Sequence, residues 1–208
     1  MKLQIAIDIA NTETVLSIAD AVHDVIDILE VGTPVIMKEG LAPVYRVKQK
    51  YPNLCVLADT KIVDGGAMEC EDACKAHADI VTVLAMADNA TIKEVVETAH
   101  KFKKKVLADL ICVNDIKKRA KELIALGVDY IGVHTGVDMQ QQGRTPLHDL
   151  EELSAAVPHT QTAVAGGIKL STIEAYVRLQ PEILIAGGAL YMQKDIRGAV
   201  IEMKGYLK

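Results

Sequence analysis

Short apolar runs alternate with amphipathic stretches along the whole chain. An apolar run of about four to eight residues predicts a strand, and apolar positions repeating every three or four residues predict a helix. Strands are predicted at Leu3–Ile7, Asp24–Val31, Leu54–Ala58, Ile80–Leu84, Val106–Leu110, Tyr130–Val133, Thr162–Ala165 and Ile183–Ala186. Helices are predicted at Thr12–Val22, Gly40–Lys50, Gly66–His77, Asn89–Phe102, Asn114–Leu126, Leu147–Ala156, Ser171–Leu179 and Asp195–Leu207.

This alternation predicts the α/β class with a parallel sheet, because each parallel pair of strands needs a crossover connection and usually uses a helix. About eight such units favour a (β/α)8 TIM barrel, and an open doubly wound sheet is the alternative. A polar segment lies between Thr135 and Pro146, and no linker or low-complexity segment interrupts the series. Residues 1–208 are therefore expected to form a single catalytic domain.

Composition excludes several classes of protein. Half of the residues are apolar and only 3% are aromatic, so the core must consist mainly of Ala, Val, Ile and Leu. The net charge is −5 with acids and bases interspersed, which argues against binding to nucleic acid or to a membrane surface. The cysteines Cys55, Cys70, Cys74 and Cys112 complete no zinc pattern and are expected to be free thiols. We therefore expect a cytoplasmic protein.

Acidic side chains follow several of the predicted strands, and in a TIM barrel the active site lies at that end of the strands. Asp8, Glu30, Asp59 and Asp109 stand at the ends of strands one, two, three and five, and His134 ends strand six. Histidine is the side chain best suited to exchange protons near neutral pH. Glu30 and Asp59 lie on neighbouring strands. They are the predicted Mg²⁺ ligands, because this ion typically takes one or two carboxylates.

The segment Asp59–Asp64 carries two carboxylates and the ammonium group of Lys61 within six residues of a strand end. Asp59 and Lys61 share the alternation of a strand, so both side chains can point into the barrel mouth. The alternative is an exposed, salt-bridged turn. Against it, Asp59 follows the apolar run Leu54–Ala58, where an unpaired charge is costly.

Two pairs of glycines follow the last two predicted strands. Gly166 and Gly167 follow strand seven, and Gly187 and Gly188 follow strand eight. Such turns also occur for structural reasons, since glycine accepts a positive φ. Their position in adjacent units favours a phosphate site, because glycines allow close approach of an anion and backbone amides can donate to it.

The pattern Asp59-x-Lys61-x-x-Asp64 after the third strand resembles the orotidine 5′-monophosphate decarboxylase suprafamily. The resemblance covers essentially the whole chain, and its other matching segments are Ala6–Asp8, Ile28–Thr33, Ala78–Val83 and Val164–Ile168. The Glu30–Thr33 segment (Glu-Val-Gly-Thr) is similar to the branch that holds 3-keto-L-gulonate 6-phosphate decarboxylase and 3-hexulose-6-phosphate synthase. Enzymes of that branch are Mg²⁺-dependent and typically homodimeric.

Departures from the decarboxylases favour the synthase group within this branch. The decarboxylases usually carry an arginine shortly after the histidine, where this chain has Gly136 and Val137. They tend to have Glu-Leu-Thr-Gly after strand five, where this chain has Asp109-Leu110-Ile111-Cys112, and Gly-Arg after strand eight, where this chain has Gly187-Gly188.

The resemblance implies a Mg²⁺-dependent, reversible aldol condensation of formaldehyde with ribulose 5-phosphate through an enediolate. It implies His134 as the proton-abstracting base, with Asp64 as the alternative, since in this suprafamily that aspartate can serve the neighbouring subunit's site. Lys61 would stabilise charge, Asp8 would bind sugar hydroxyls, and Asp109 would do the same or orient Lys61. A decarboxylase, an isomerase or epimerase, and a non-catalytic sugar-phosphate-binding protein are the alternatives.

Overall fold

The computed structural model describes residues 1–9 and 11–208 and contains a closed barrel of eight parallel strands. Each strand pairs with the next along the chain, and the last pairs with the first. The strands are β1 (Lys2–Ile7), β2 (Ile28–Val31), β3 (Cys55–Ile62), β4 (Ile80–Leu84), β5 (Lys105–Asp109), β6 (Tyr130–His134), β7 (Thr162–Ala165) and β8 (Ile183–Ala186). The predicted TIM barrel is confirmed, and the open sheet is excluded.

Helices surround the barrel, and each of the eight regions where the hydrophobic pattern predicts a helix contains one. They are α1 (Thr12–Val22), α2 (Thr33–Glu39), α3 (Ala42–Lys50), α4 (Gly66–Lys75), α5 (Asn89–Lys101), α6 (Ile116–Leu126), α7 (Val137–Gln141), α8 (Leu147–Ser154), α9 (Ile173–Val177), α10 (Gly188–Tyr191) and α11 (Ile196–Gly205). The described part of the chain contains no helix long and apolar enough to cross a membrane.

The structure differs from the predicted elements in three respects. β2 begins at Ile28 instead of Asp24, because the carboxylate of Asp27 accepts the N–H of Leu3 at 2.8 Å and the residues before it form a turn. The short helices α2, α7 and α10 were not predicted. β3 continues past Ala58 to Ile62, and its register with β4 shifts between these two residues.

The strands divide the core into two layers. Residues such as Leu3, Ile5 and Ile7 face outward and pack in the large cluster between sheet and helices. The alternate residues Gln4 and Ala6 face the barrel interior. The interior cluster consists of Ala6, Ile28, Leu57, Ile80, Leu107, Tyr130, Ala163, Ile183 and Ile185. These apolar side chains fill the barrel interior on its amino-terminal side. A site that solvent can reach must therefore lie at the other side, at the carboxyl ends of the strands.

Aspartates stabilise the amino-terminal end of the barrel, which lies opposite the carboxyl ends of the strands. Asp79, just before β4, accepts the N–H of Val56 in β3 and also binds the ammonium groups of Lys48 and Lys104 at 2.7 and 2.8 Å. Burial alone would raise the pKa of Asp79, but the two lysines outweigh it and hold the pKa below its usual value. Asp129, just before β6, accepts the N–H of Val106 in the same way. These contacts stabilise the barrel far from the mouth.

Candidate active site

Buried carboxylates meet at the carboxyl ends of the strands around one lysine. Asp59 and Asp109 are each 5% exposed and Glu30 is 7% exposed. Lys61 Nζ lies 2.6 Å from Asp59 Oδ2 and 3.3 Å from Asp109 Oδ2. Burial would lower the pKa of Lys61, but these two carboxylates raise it above its usual value, so the ammonium group stays charged. A buried charge is tolerated only when it is paired, and Lys61 supplies that pairing for two strands at once.

Two threonines fix Asp59. Thr82 Oγ1 donates to Asp59 Oδ1 at 2.8 Å, and Thr33 Oγ1 donates to Asp59 Oδ2 at 2.8 Å. Thr82 Oγ1 also accepts the backbone N–H of Lys61 at 2.9 Å, where Lys61 adopts a φ of 48°. This contact holds the irregular turn of β3 that brings the ammonium group back over Asp59. Sequence reasoning missed both threonines, although Thr82 is a polar residue within an apolar strand.

Negative charge exceeds positive charge on the β1–β3 side of the mouth. Burial raises the pKa of Glu30 well above its usual value, and the carboxylates of Asp59 and Asp8 raise it further. Burial and then Asp59 likewise raise the pKa of Asp8. Three carboxylates thus share one nearby ammonium group, that of Lys61. A bound cation would relieve this repulsion.

The donor set matches a magnesium ion better than a metal held wholly by protein. Among residues 1–9 and 11–208, no group of three or more His, Cys, Asp or Glu side chains is arranged to hold a metal ion. Glu30 and Asp59 offer two carboxylates on adjacent strands, and Mg²⁺ typically takes one or two carboxylates with substrate and water oxygens in its other positions. The residues present therefore fit this ion.

His134 and Asp109 form a pair on the opposite side of the mouth. His134 Nδ1 lies 2.9 Å from Asp109 Oδ2, and the N–H of Ile111 donates to Asp109 Oδ1 at 2.9 Å. Although burial opposes it, the hydrogen bond and charge of His134, followed by the charge of Lys61, hold the pKa of Asp109 below its usual value. With Nδ1 bound to a carboxylate, Nε2 is the ring nitrogen left to accept a proton.

The glycine loops lie beside this cluster, at the ends of β7 and β8. Gly166 has a φ of 117°, and a Cβ there would lie 2.5 Å from the carbonyl oxygen of Thr135. Gly187 has a negative φ, but a Cβ there would lie 3.2 Å from the carbonyl oxygen of Ala6 and 3.7 Å from Asp8 Oδ2. Gly167 follows Gly166 with a φ of 70°, and Gly188 begins α10. These four positions therefore offer backbone without side chains of their own, although the side chains of Gln140 and Met192 lie beside Gly167 and Gly188.

Asp64 lies apart from the other candidate residues. Its side chain is exposed, and Oδ1 accepts the N–H of Gly65 at 2.7 Å. The structure therefore brings Asp8, Glu30, Asp59, Lys61, Asp109 and His134 to one mouth and leaves the side chain of Asp64 exposed.

A separate cleft of about 550 Å³ lies outside the barrel, between the turn after β4 and helix α6. Arg119 lines it and donates to the carbonyl oxygens of Ala85 and Ala87 at 2.6 and 2.9 Å. Glu122, which pairs with Arg119 at 2.6 Å, also lines the cleft, but none of the carboxylates around Lys61 does. The candidate residues therefore share the mouth and not this cleft.

Comparison with known proteins shows which enzymes the chain is similar to. The chain is 45% identical to a 3-hexulose-6-phosphate synthase of Bacillus subtilis over 204 residues, which cover 98% of this chain and 97% of the relative. The crystal structure of 3-hexulose-6-phosphate synthase from Salmonella typhimurium superposes with a TM-score of 0.96 at 39% identity, covering 100% of this chain and 98% of the other. The 3-keto-L-gulonate-6-phosphate decarboxylase of Vibrio cholerae superposes with a TM-score of 0.86 at 26% identity, covering 99% and 96%.

A family model matches almost the full length of the chain. It is the model of the orotidine 5′-phosphate decarboxylase / HUMPS family, and it spans residues 1–203. From β1 to the last helix, the chain therefore belongs to the orotidine 5′-phosphate decarboxylase / HUMPS family.

Proposed function

We propose that this chain is an aldolase-type lyase that condenses formaldehyde with D-ribulose 5-phosphate to D-arabino-hex-3-ulose 6-phosphate, with the whole chain acting as one catalytic domain. The observation that carries the proposal is the continuous series of charge pairs Asp59–Lys61–Asp109–His134 across the mouth, beside Glu30. This series supports the proposal because His134 can accept a proton, while Glu30 and Asp59, across the mouth, can hold the carbonyl end of a sugar. Relatives of 45% identity carry the synthase name.

The reaction begins by removal of a proton from C1 of ribulose 5-phosphate. His134 Nε2 takes that proton, because Asp109 holds Nδ1 and thereby orients the ring. The electron pair left at C1 is delocalised into the C2 carbonyl as an enediolate, whose charge Lys61 stabilises. C1 then attacks the carbon of formaldehyde, the formaldehyde C=O π bond breaks, and the resulting alkoxide takes a proton, which His134 can return.

Substrate position follows from the rest of the mouth. Backbone amides of the two glycine loops are proposed to hold the phosphate, which fixes the reacting carbon at the other end of the molecule. Asp8, between these loops and Glu30, binds sugar hydroxyls. Glu30 and Asp59 would hold Mg²⁺, and the ion would supply Lewis-acid chemistry at the carbonyl end of the sugar.

Asp64 would act at the active site of a second subunit. The family resemblance implies a homodimer in which this aspartate serves the neighbouring site, and its exposed carboxylate is free to do so without breaking the cluster around Lys61. We propose a homodimer on this basis.

The decarboxylase of 3-keto-L-gulonate 6-phosphate is the second candidate, because a protein of that name shares the fold at 26% identity. A non-catalytic sugar-phosphate-binding protein is disfavoured by the Asp109–His134 pair, since a binding protein gains little from a buried carboxylate that orients a histidine. An isomerase or epimerase would use the same proton abstraction without formaldehyde.

One assay separates these candidates. Purified protein is mixed with ribulose 5-phosphate and formaldehyde, with Mg²⁺ or with EDTA, and formaldehyde loss is followed. We expect loss only when both substrates and the metal are present. Consumption of ribulose 5-phosphate alone would indicate an isomerase, and CO₂ release from 3-keto-L-gulonate 6-phosphate would indicate the decarboxylase.

The Asp59→Ala variant tests the site itself. It should abolish formaldehyde loss while the protein remains folded by circular dichroism. Asp20→Ala is the control, because Asp20 is exposed and pairs only with surface groups such as Lys50. An Asp59→Ala protein that remains active would refute the metal site.

A further inference from the structure

One buried amide beneath the mouth has no part in the mechanism described so far. Gln4 lies on β1 with 1% of its surface exposed, and its side chain faces the barrel interior, where its neighbours are apolar. Its Nε2 donates to Glu30 Oε2 at 2.5 Å, while its Oε1 is buried and has no hydrogen-bond partner. An amide with an unpaired carbonyl destabilises an apolar core, so packing does not account for a glutamine at this position.

The strand register explains why this contact reaches Glu30. Gln4 lies opposite Ile28 in β2, and Ala6 lies opposite Glu30. Gln4 is therefore one interior layer below Glu30, and its long side chain reaches up to the carboxylate from underneath. One carboxylate oxygen of Glu30 is held from below, and the other is not used by this contact.

We propose that Gln4 is a positioning residue that fixes the Glu30 carboxylate so that its second oxygen points into the mouth as a ligand for the divalent cation. The proposal rests on the metal site proposed above. Groups that hydrogen-bond to metal ligands commonly fix their orientation, and their loss typically lowers metal affinity by about 10- to 100-fold. The buried unpaired carbonyl of Gln4 is the structural disadvantage that accompanies this role.

The Gln4→Met variant tests the proposal, because methionine fills a similar volume and neither donates nor accepts a strong hydrogen bond. The matched control is Leu57→Met. Leu57 is 1% exposed, faces the same interior and lies opposite Glu30 in β3, but it makes no hydrogen bond to it. Binding of Mn²⁺, used as a probe, is measured by isothermal titration calorimetry, and thermal unfolding is measured without metal.

We expect Gln4→Met to bind Mn²⁺ about 10- to 100-fold more weakly than the wild type, with a melting temperature in the absence of metal that is unchanged or higher. Leu57→Met should bind the ion as the wild type does. Equal affinity in Gln4→Met and wild type would overturn the positioning role and leave the metal site intact. A lower melting temperature without a change in affinity would show that Gln4 is only structural. If the wild type itself binds no Mn²⁺ or Mg²⁺, the metal site fails, and the role of Gln4 fails with it.

Discussion

The pair formed by Asp109 and His134 gives the sharpest test of the proposed proton transfer, because the same chain contains a matched pair elsewhere. In Asp109→Asn the carboxylate is replaced by an amide of nearly the same shape. The carboxylate of Asp109 has two acceptor oxygens, one for the N–H of Ile111 and one for His134 Nδ1. An amide has only one acceptor oxygen. When that oxygen binds the N–H of Ile111, the N–H₂ group faces Nδ1 and donates to it, which favours the tautomer whose Nε2 already carries a proton and cannot act as a base. Lys61 keeps its 2.6 Å contact with Asp59, and the cluster should therefore remain assembled.

The expected loss follows from the role assigned to the histidine. A positioned general base typically contributes about 10²- to 10⁴-fold to a rate. An aspartate-to-asparagine change beside a catalytic histidine costs about 10⁴-fold in a serine protease, where it imposes the wrong tautomer. We expect kcat for formaldehyde loss to fall by about 10²- to 10⁴-fold in Asp109→Asn. Its affinity for Mn²⁺ should change little, because Asp109 is not a proposed ligand.

Asp129→Asn is the control. Asp129 also accepts a backbone N–H, from Val106 at 2.9 Å, and also contacts a histidine, His100 Nε2 at 3.1 Å. It lies at the amino-terminal end of the barrel, so its replacement should lower stability without changing kcat. An Asp109→Asn enzyme that keeps more than about a tenth of wild-type kcat would refute His134 as the oriented base. Equal losses of kcat in both variants would show that the effect comes from the fold and not from the site.

Two further variants test the phosphate loop and the amino-terminal end of the barrel. Gly166→Ala should raise KM for ribulose 5-phosphate, because Gly166 has a φ of 117° and the new Cβ would overlap Thr135; Gly205→Ala, where a Cβ meets nothing within 4 Å, is the control for steady-state kinetics. Asp79→Asn should lower the urea midpoint at pH 7 and leave kcat unchanged. Because the pKa of Asp79 is depressed in the folded state, its stabilisation is present above its unfolded pKa of about 3.9 and is lost as the pH falls through the lower folded pKa. The urea midpoint of Asp79→Asn should therefore depend less on pH below about 4 than that of the wild type, and an equal dependence would contradict the assignment.

The order of strands and helices could be predicted because seven of the eight βα units carry an amphipathic helix of at least eight residues. The exception is α9, which has five residues within the predicted helix Ser171–Leu179. The helices that escaped prediction, α2, α7 and α10, contain seven, five and four residues. A helix of this length has at most about two turns, so the repeat of apolar positions every 3.6 residues cannot be recognised in it. For α2 a local signal was present, since Pro34 follows Thr33 in the first turn, where proline is favoured.

The sequence predicts that the candidate residues lie at the mouth, because they follow the predicted strands. It does not predict which of these side chains contact one another. The hydrophobic pattern ends β3 at Ala58, because the next three residues are polar, whereas hydrogen bonds to Thr82 carry the strand through Lys61. Asp64 follows Lys61 by three residues, yet its side chain is exposed and its carboxylate accepts the N–H of Gly65, which adopts a φ of 60°. Both outcomes depend on the path of the backbone after β3, which a one-dimensional pattern does not contain.

Both ends of this barrel carry aspartates and lysines, but the carboxylate charge is compensated at the amino-terminal end and exceeds the ammonium charge at the mouth. This difference indicates that the first cluster stabilises the fold and that the second serves function. At the amino-terminal end, Asp79 is matched by two ammonium groups and a backbone N–H, so its charge is fully compensated. At the mouth, Asp8, Glu30 and Asp59 share the charge of Lys61, and burial followed by the neighbouring carboxylates raises the pKa values of Asp8 and Glu30. A protein selected for stability alone would gain by replacing such a surplus with apolar side chains. The surplus of negative charge, held rigidly by buried hydrogen bonds, is therefore the feature that points to a cation and a reacting substrate at this end.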